Sequence, residues 1–154
     1  MDKTKKEEKK KVLYFDDEPF ITEALARSLE LFGWDVIQVS EIDDLFKELK
    51  TRQFDIVILD LMAPIPNQKN KYVNFAMSEI DEMKLSRGTN VGIILAKKIW
   101  KEVNTDTPIL FLSAKRNPIP EEPELEQFKC DYLRKPQLAR TVDDMLRVLL
   151  NLNN

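Results

Sequence analysis

Four short apolar runs in this sequence each end at a polar residue suited to phosphate chemistry. Three of them, VLYF, IVIL and ILFL, end at Asp16, Asp60 and Ser113, and a weaker run, DYLR, ends at Lys135. Nearly continuous runs of β-branched and leucine residues are typical of parallel strands that helices cover on both faces. Because the carboxyl ends of parallel strands meet at one edge of a sheet, we expect these polar residues to lie close together.

Apolar residues at helical spacing occupy the intervals between the predicted strands. The first stripe begins after Glu18, with Pro19 suited to the first turn of a helix and Gly33 to its exit. Ser40 is a candidate cap for the next helix. Further strands are predicted at residues 34–39, 54–59, 108–112 and 130–134. This alternation predicts an α/β fold, a doubly wound five-stranded parallel sheet flanked by helices.

Two segments depart from a minimal domain of this class. Residues 61–90 separate the third predicted strand from the third predicted helix, whereas such loops usually have about two to six residues. We expect an insertion over about 63–88, which could serve as a lid, as a partner site or as a solvated excursion. In the second segment, Pro118, Pro120 and Pro123 forbid regular helix until about Glu124, because proline lacks the amide and clashes with the preceding turn.

The length and composition of the chain predict one folded domain that follows a charged tail. Its 154 residues suit a single domain, expected to span 12–154. Residues 2–11 contain no apolar side chain, so we expect a disordered tail over 1–11. No apolar stretch reaches the roughly eighteen residues of a membrane-spanning helix, and the N-terminus lacks the apolar core of a signal peptide. We therefore expect a cytoplasmic protein with no membrane partner.

Missing residue types narrow the chemistry further. The chain has no histidine, which excludes histidine-based acid–base catalysis, Ser-His triads and most zinc sites. Its single cysteine, Cys130, cannot form an internal disulfide and is expected to be a small core residue. The net charge of −3, without a basic stripe, argues against a nucleic-acid partner. Any metal here must be a hard cation held by oxygen.

The acidic strand ends suit magnesium and phosphate. Mg²⁺ is usually held by one or two carboxylates with phosphate oxygens and water, and Asp16, Asp17 and Asp60 can supply those carboxylates. An aspartate at a strand end can also attack phosphorus and form an aspartyl-phosphate. Lys135 would neutralise the transferred group and Ser113 would donate a hydrogen bond to it. Taken singly, each residue is ordinary, because strand-end Asp and Ser usually cap a turn or helix and Lys is usually solvated.

The motifs VLYFDDEP, IVILDLM, ILFLSAK and DYLRKP, in this order, resemble the receiver domain of two-component response regulators. The resemblance covers Val12 to about Leu150 and implies a flavodoxin-like sheet. Because the sequence ends at NLNN after the last predicted helix, we expect a stand-alone receiver without an output domain. Such a receiver signals through a partner protein or through onward phosphotransfer and is not an enzyme with its own substrate.

The resemblance also assigns the phosphoacceptor and the metal ligands. Asp60 would accept a phosphoryl group from a histidine kinase or a phosphotransfer protein. Asp17, Asp60 and the backbone carbonyl of Met62 would bind Mg²⁺ directly, and Asp16 would act through a metal-bound water. Gly92 matches the glycine that follows a short loop in a minimal receiver.

A second set of residues would contact the phosphoryl group or change conformation in response to it. By the resemblance, Ser113 would be the switch hydroxyl, and the small Ala114 beside it would leave the phosphate open. Lys135 would pair with the phosphoryl group and precede Pro136 in a cis-forming Lys-Pro step. Tyr132 would be the aromatic switch residue, although a half-buried strand tyrosine without a gating role is the competing interpretation.

Two other classes of function use the same residues. A magnesium-dependent phosphohydrolase of the haloacid-dehalogenase type would need a second aspartate two residues after the nucleophile, where Met62 stands. A phosphorylation-independent interaction module on the same scaffold also stays open, although the intact acidic, serine and lysine set argues against it. Met62 cannot readily orient a hydrolytic water, so we expect a long-lived aspartyl-phosphate.

Overall fold

The computed structural model describes residues 8–62 and 91–152. Strands and helices alternate along these residues as the sequence pattern predicts. The elements in chain order are β1 Lys11–Phe15, α1 Pro19–Leu31, β2 Asp35–Val39, α2 Ile42–Thr51, β3 Ile56–Leu59, α3 Val91–Glu102, β4 Ile109–Ser113, β5 Cys130–Arg134 and α4 Ala139–Leu149. The predicted insertion at 63–88 and most of the predicted tail lie outside the described residues.

The five strands form one parallel sheet in the order β2-β1-β3-β4-β5. The winding direction reverses between β1 and β3, and ligands of doubly wound sheets bind beyond the carboxyl ends of the strands at this point. The predicted fold class is therefore confirmed. The sheet also places the ends of β1 and β3 side by side.

Helices cover both faces of the sheet, which explains why the central strands are apolar throughout. All four residues of β3 are buried. In β1, Leu13 and Phe15 pack with α2 and α3, whereas Val12 and Tyr14 pack with α1 and α4. Alternate residues of a strand point to opposite faces, so a strand covered on both sides needs apolar side chains at every position.

The connection between β4 and β5 contains no α-helix within residues 114–129, all of which the structure describes. Two short 3-10 helices, Ile119–Glu121 and Pro123–Gln127, take its place. The three prolines suppress regular α-helix as expected, and the chain makes only tight turns up to Gln127. Leu125 is fully buried and anchors the second turn in the core.

The ends of several elements differ slightly from the predicted ends. Helix α2 begins after Glu41, which makes no side-chain capping bond, so the prediction of Ser40 as the cap is wrong. Strand β1 begins at Lys11, whose amide donates to Oδ2 of Asp55 at 2.7 Å, one residue before the predicted start. Gly33 has φ +101°, as its predicted position at the exit of α1 requires.

Among the helices of the described ranges, none combines the length and the apolar character that a membrane span needs.

Candidate functional site

Asp16 and Asp60 directly follow β1 and β3, and the sheet fixes their backbone positions. The Asp16 amide donates to the Val39 carbonyl at 3.1 Å, and the Asp60 amide donates to the Phe15 carbonyl at 3.1 Å. These bonds extend the strand pairing by one residue beyond each strand. The two carboxylates therefore stand on a rigid edge rather than on a free loop.

Asp16, Asp17 and Asp60 form one acidic cluster. A ligand oxygen from each lies within 4.8 Å of the other two. Asp16 and Asp60 are 2% and 7% exposed, whereas Asp17 lies closer to solvent. Three convergent carboxylates, one of them near the surface, fit a hard cation such as Mg²⁺, which takes oxygen ligands and retains water.

Burial and the neighbouring charge of Asp60 disfavour the charged forms of Asp16 and Asp17. The pKa of Asp16 is raised, chiefly by burial and to a smaller extent by Asp60, although the hydrogen bond from Lys135 opposes the shift. Burial also raises the pKa of Asp17, and the charge of Asp60 adds to the effect. A cluster that disfavours its own charge is stabilised by a cation.

Lys135 supplies a positive charge at the centre of the cluster. Its ammonium pairs with Oδ2 of Asp16 and lies 3.2 Å from Oδ2 of Asp60. Although burial lowers it, the pKa of Lys135 is raised because these two carboxylates outweigh the burial. The Lys135 amide donates to the Ser113 carbonyl at 2.9 Å, and the Lys135–Pro136 peptide bond is cis. The strand pairing of β4 and β5 thus positions the lysine.

The loop after β3 is built closely around Asp60. The amide of Met62 donates to Oδ1 of Asp60 at 3.1 Å, which leaves Oδ2 for Lys135. The Gly92 amide donates to the Leu61 carbonyl at 3.1 Å. A Cβ on Gly92 would lie 2.4 Å from the Asp60 carbonyl oxygen, so a residue without a side chain is required where α3 begins.

Ser113 and Tyr132 lie on adjacent strands beside the cluster, and their hydroxyls bind loop backbone. Ser113 is fully buried, and its Oγ accepts a hydrogen bond from the Lys115 amide at 3.3 Å. The Tyr132 hydroxyl donates to the Lys115 carbonyl and lies 3.5 Å from the Ser113 carbonyl oxygen. Ala114 is exposed. The structure thus brings Lys135 into the acidic cluster and sets Ser113 and Tyr132 around the adjoining loop.

Comparison with known proteins shows what this chain is similar to. Family models were compared with the sequence, and none matches. The alkaline phosphatase synthesis transcriptional regulatory protein PhoP of Bacillus subtilis is 30% identical over 141 residues, which cover 92% of this chain and 48% of that protein. The phosphate regulon transcriptional regulatory protein PhoB of Pseudomonas aeruginosa is 28% identical over 142 residues, 92% of this chain and 52% of that protein.

Solved structures of receiver domains share the fold. The receiver domain of Francisella response regulator 1452 has a TM-score of 0.66 at 22% identity, with 92% of this chain and 97% of that chain covered. The chemotaxis protein CheY4 of Vibrio cholerae has a TM-score of 0.68 at 19% identity, with coverages of 92% and 99%. This chain has the fold of a response regulator receiver domain.

One structure with the same fold was solved with a ligand bound. TrrA from Thermotoga maritima, solved in complex with Mg²⁺ and BeF, has a TM-score of 0.65 at 21% identity, with coverages of 91% and 98%. The chain spans about half the length of the curated relatives named above. The similarity therefore concerns about half of each of those proteins and does not extend to the remainder of their length.

The sequence reasoning missed residues that border the site of this receiver domain. Tyr14 lies on β1, two residues before Asp16, and burial together with the charges of Asp16 and Asp60 raises its pKa. The phenol hydroxyl of Tyr14 in the otherwise apolar run VLYF was the sequence feature that could have pointed to this residue. Two exposed apolar side chains that follow β1 and β5 were also missed: Phe20 is 90% and Leu138 76% exposed, and Met62, which follows β3, is 44% exposed.

Proposed function

We propose that Asp60 of this receiver domain accepts a phosphoryl group from a phosphohistidine of a histidine kinase or a phosphotransfer protein. The observation that carries the proposal is the ion pairing of Lys135 with both Asp16 and Asp60 inside the acidic cluster. A structural lysine would need one partner, whereas a lysine between two carboxylates is placed to neutralise further negative charge on one of them. We assign Asp60 as the phosphoacceptor because it directly follows the central strand β3 and its Oδ2 lies 3.2 Å from the ammonium of Lys135.

The transfer forms one bond and breaks one. A carboxylate oxygen of Asp60 attacks the phosphorus atom, an O–P bond forms, and the N–P bond of the phosphohistidine breaks. The imidazole nitrogen leaves with the bonding electron pair. Lys135 holds the negative charge of the phosphoryl oxygens, and the Met62 amide orients the attacked carboxylate through Oδ1.

The proposal includes a magnesium ion in the acidic cluster. Asp17, Asp60 and the Met62 carbonyl would bind it directly, and Asp16 would bind one of its waters. When bound, Mg²⁺ supplies positive charge that offsets the carboxylates and the phosphoryl oxygens. The cluster geometry and the raised pKa values of Asp16 and Asp17 support this assignment.

The response to phosphorylation begins at Ser113. A phosphoryl group adds about −1.5 to −2 charge and three acceptor oxygens. The Ser113 hydroxyl turns to donate to one of these oxygens, which weakens its 3.3 Å bond from the Lys115 amide. The Tyr132 hydroxyl donates a hydrogen bond to the carbonyl of the same Lys115. A movement of this loop therefore changes the orientation of the tyrosine ring.

The surface around the site suits a protein donor. The exposed side chains of Phe20, Met62 and Leu138 follow β1, β3 and β5 in the sequence, and we infer that they provide apolar contact area near the acidic cluster. Exposed apolar side chains on a protein surface often mark sites of contact with another protein. PhoP and PhoB are named as transcriptional regulators. For this chain, a cytoplasmic location and the absence of nucleic-acid and membrane partners stay predictions.

Acetyl phosphate and beryllofluoride test the proposal directly. We expect acetyl phosphate with Mg²⁺ to add one phosphoryl group to the wild-type chain, detected by intact mass, and we expect none without Mg²⁺. Asp60→Asn should remain unmodified, whereas Asp55→Asn, a change at the opposite end of β3, should behave as wild type. Equal modification of Asp60→Asn and wild type would show that Asp60 is not the acceptor.

A further inference from the structure

The connection between β4 and β5, residues 114–129, has a second half that is anchored in the core. Leu125 is fully buried there. The Phe128 ring stacks on Trp100 of α3, with the ring centroids 4.1 Å apart and the planes 3° from parallel. Trp100 is itself held by a 2.8 Å hydrogen bond from its indole nitrogen to the Thr107 carbonyl. Displacing these side chains would open a cavity, so this half is firmly held.

The hydrogen bonds of the first half of the connection lie mainly within it, although Pro118 is buried and Ile119 packs against the core. Arg116 pairs with Glu121 at 2.7 Å, and the Ile119 amide donates to Oδ1 of Asn117 at 3.0 Å. The Glu121 amide donates to the Pro118 carbonyl at 3.0 Å. These bonds join residues 116–121 into one small body. That body continues directly from the end of β4, so it follows any displacement there.

Lys97 on α3 stands where the two halves of the connection meet. Its ammonium pairs with Glu124 and lies 3.5 Å from Oε2 of Glu122. Although partial burial lowers it, the pKa of Lys97 is raised by these carboxylates. The side chains of Lys97, Glu122 and Glu124 are 41%, 32% and 49% exposed. Solvent screens ion pairs at such exposure, so they break more readily than the buried contacts of the second half.

Helix α3 is a fixed support for this lysine. At its start, the Gly92 amide donates to the Leu61 carbonyl, and the helix approaches the Asp60 backbone closely. Near its end, Trp100 is stacked and hydrogen-bonded. When the connection moves, Lys97 therefore stays in place and the glutamates leave it.

We propose that Lys97 is a latch, which holds the first half of the β4–β5 connection in its resting position and releases it when Asp60 is phosphorylated. The inference rests on the proposed function of Asp60. Phosphorylation draws the Ser113 hydroxyl inward, the body 116–121 follows the end of β4, and the strain falls on Glu122 and Glu124. The exposed pairs open while Leu125 and Phe128 stay buried, so residues 116–122 form the part of the surface that changes.

The latch predicts that weakening it favours the phosphorylated conformation. By linkage, a change that destabilises only the resting state raises the affinity for a ligand of the other state. We expect Lys97→Met to bind beryllofluoride about twofold to fivefold more tightly than wild type in Mg²⁺, the range set by exposed ion pairs. Lys101→Met is the matched control, since Lys101 is an exposed lysine one turn further along α3. It should bind as wild type does.

Changing the two glutamates that pair with Lys97 tests whether the effect of Lys97→Met comes from the loss of these ion pairs. The double change Glu122→Gln and Glu124→Gln removes both partners and should raise the affinity in the same direction. Glu126→Gln, a change at an exposed residue of the same segment, is its control and should leave the affinity unchanged. If the double change has no effect, the latch assignment is overturned.

Backbone amide shifts report the conformation itself. In wild type, beryllofluoride should move the amide resonances of residues 116–122 and leave those of 125–128 nearly in place. In Lys97→Met without beryllofluoride, the resonances of 116–122 should already lie part of the way toward the bound positions. A lysine with a merely structural role would lower the stability of the fold without this displacement, and that result would overturn the proposal.

The same samples separate a failure of the latch from a failure of the proposed function. Fluorine resonances of beryllofluoride bound to a carboxylate should appear in wild type and be absent in Asp60→Asn. If they are absent in wild type, the proposed function is wrong and the latch is overturned with it. If they are present while Lys97→Met matches wild type in affinity and in resting amide shifts, only the latch is wrong.

Discussion

The ammonium of Lys135 lies 3.2 Å from Oδ2 of Asp60 and pairs at the same time with Asp16. Two carboxylates therefore share one cation, and burial raises the pKa of one of them, Asp16. The ammonium of Lys135 neutralises part of the negative charge of the cluster, as a metal ion would, and its positive charge also repels a bound metal ion. This double role makes its removal informative.

Lys135→Met should separate metal binding from phosphate binding. Without the ammonium, the acidic cluster repels itself more strongly and attracts Mg²⁺ more strongly, so Mg²⁺ should raise the melting temperature of the variant more than that of wild type. Modification by acetyl phosphate should fall steeply, because no cation from the chain remains beside the phosphoryl oxygens. Thermal unfolding over a Mg²⁺ titration and intact mass measure the two effects.

Lys115→Met is the matched control for that experiment. Lys115 lies in the adjoining loop, where its backbone binds Ser113 and Tyr132. Its ammonium has no recorded contact with the acidic cluster in the described residues. The control should keep the wild-type Mg²⁺ response. A similar Mg²⁺ response in Lys135→Met and wild type would contradict the role given to Lys135.

Gly92→Ala should damage the site through its backbone. The new Cβ would lie 2.4 Å from the Asp60 carbonyl oxygen and 2.8 Å from the Leu61 Cα. Overpacking of this kind costs about 1–3 kcal/mol, and here it also displaces Asp60. We expect a lower free energy of unfolding in urea and slower modification by acetyl phosphate.

Gly33→Ala separates the two effects of Gly92→Ala. A Cβ on Gly33 meets no atom within 4 Å, but its φ of +101° strains an L-residue at a cost of about 1 kcal/mol. The variant should lose stability and keep the wild-type rate of modification. If both glycine variants slow the modification equally, loss of stability explains the effect and close packing on Asp60 does not.

The sequence predicts the acidic cluster because the cluster depends on topology. Strands β1 and β3 are neighbours in the sheet, so the residues that follow them meet whatever the details of side-chain packing. The same reasoning places Ser113 at the end of β4 and Lys135 directly after β5. The cis peptide bond at Lys135–Pro136, expected from the resemblance, is also present.

Features that depend on tertiary contacts could not be predicted in the same way. The prolines exclude a regular helix after β4, but the 3-10 turns that replace it depend on the burial of Leu125 and on the pairing of Glu122 and Glu124 with Lys97. Ser40 has the right residue type for a cap, yet the helix begins after Glu41. Local propensity is weak compared with packing at such positions.

Cys130 should be unreactive in the folded protein. Burial, with a smaller contribution from Asp131, raises the pKa of its thiol from 9.0 to about 11. At pH 8 the thiolate fraction is then about a hundredfold below that of an ordinary cysteine, and the rate of reaction with a disulfide reagent should fall accordingly. Stopped-flow measurement in buffer and in denaturant gives the comparison within one protein.

The same shift has a defined effect on stability. Because the folded-state pKa is raised, the contribution of the neutral thiol is fully present below about pH 9 and is lost as the pH rises through about 11. Cys130→Ala should therefore reduce the loss of stability over this interval. Unfolding midpoints of the two proteins that fall in parallel from pH 9 to 11 would contradict this account of the thiol.

The lifetime of the phosphorylated form should depend on Met62. Its side chain stands two residues after Asp60 and is 44% exposed, at the mouth of the site. A thioether is a weak acceptor and donates no hydrogen bond, so it does not orient water for attack on phosphorus. We expect slow loss of phosphate from the wild-type chain in Mg²⁺.

Met62→Asn, which adds an amide donor and acceptor, should shorten the lifetime, and Met62→Leu should preserve it. Decay of the phosphorylated mass after removal of acetyl phosphate measures all three, and rapid decay of the wild type would refute the expectation.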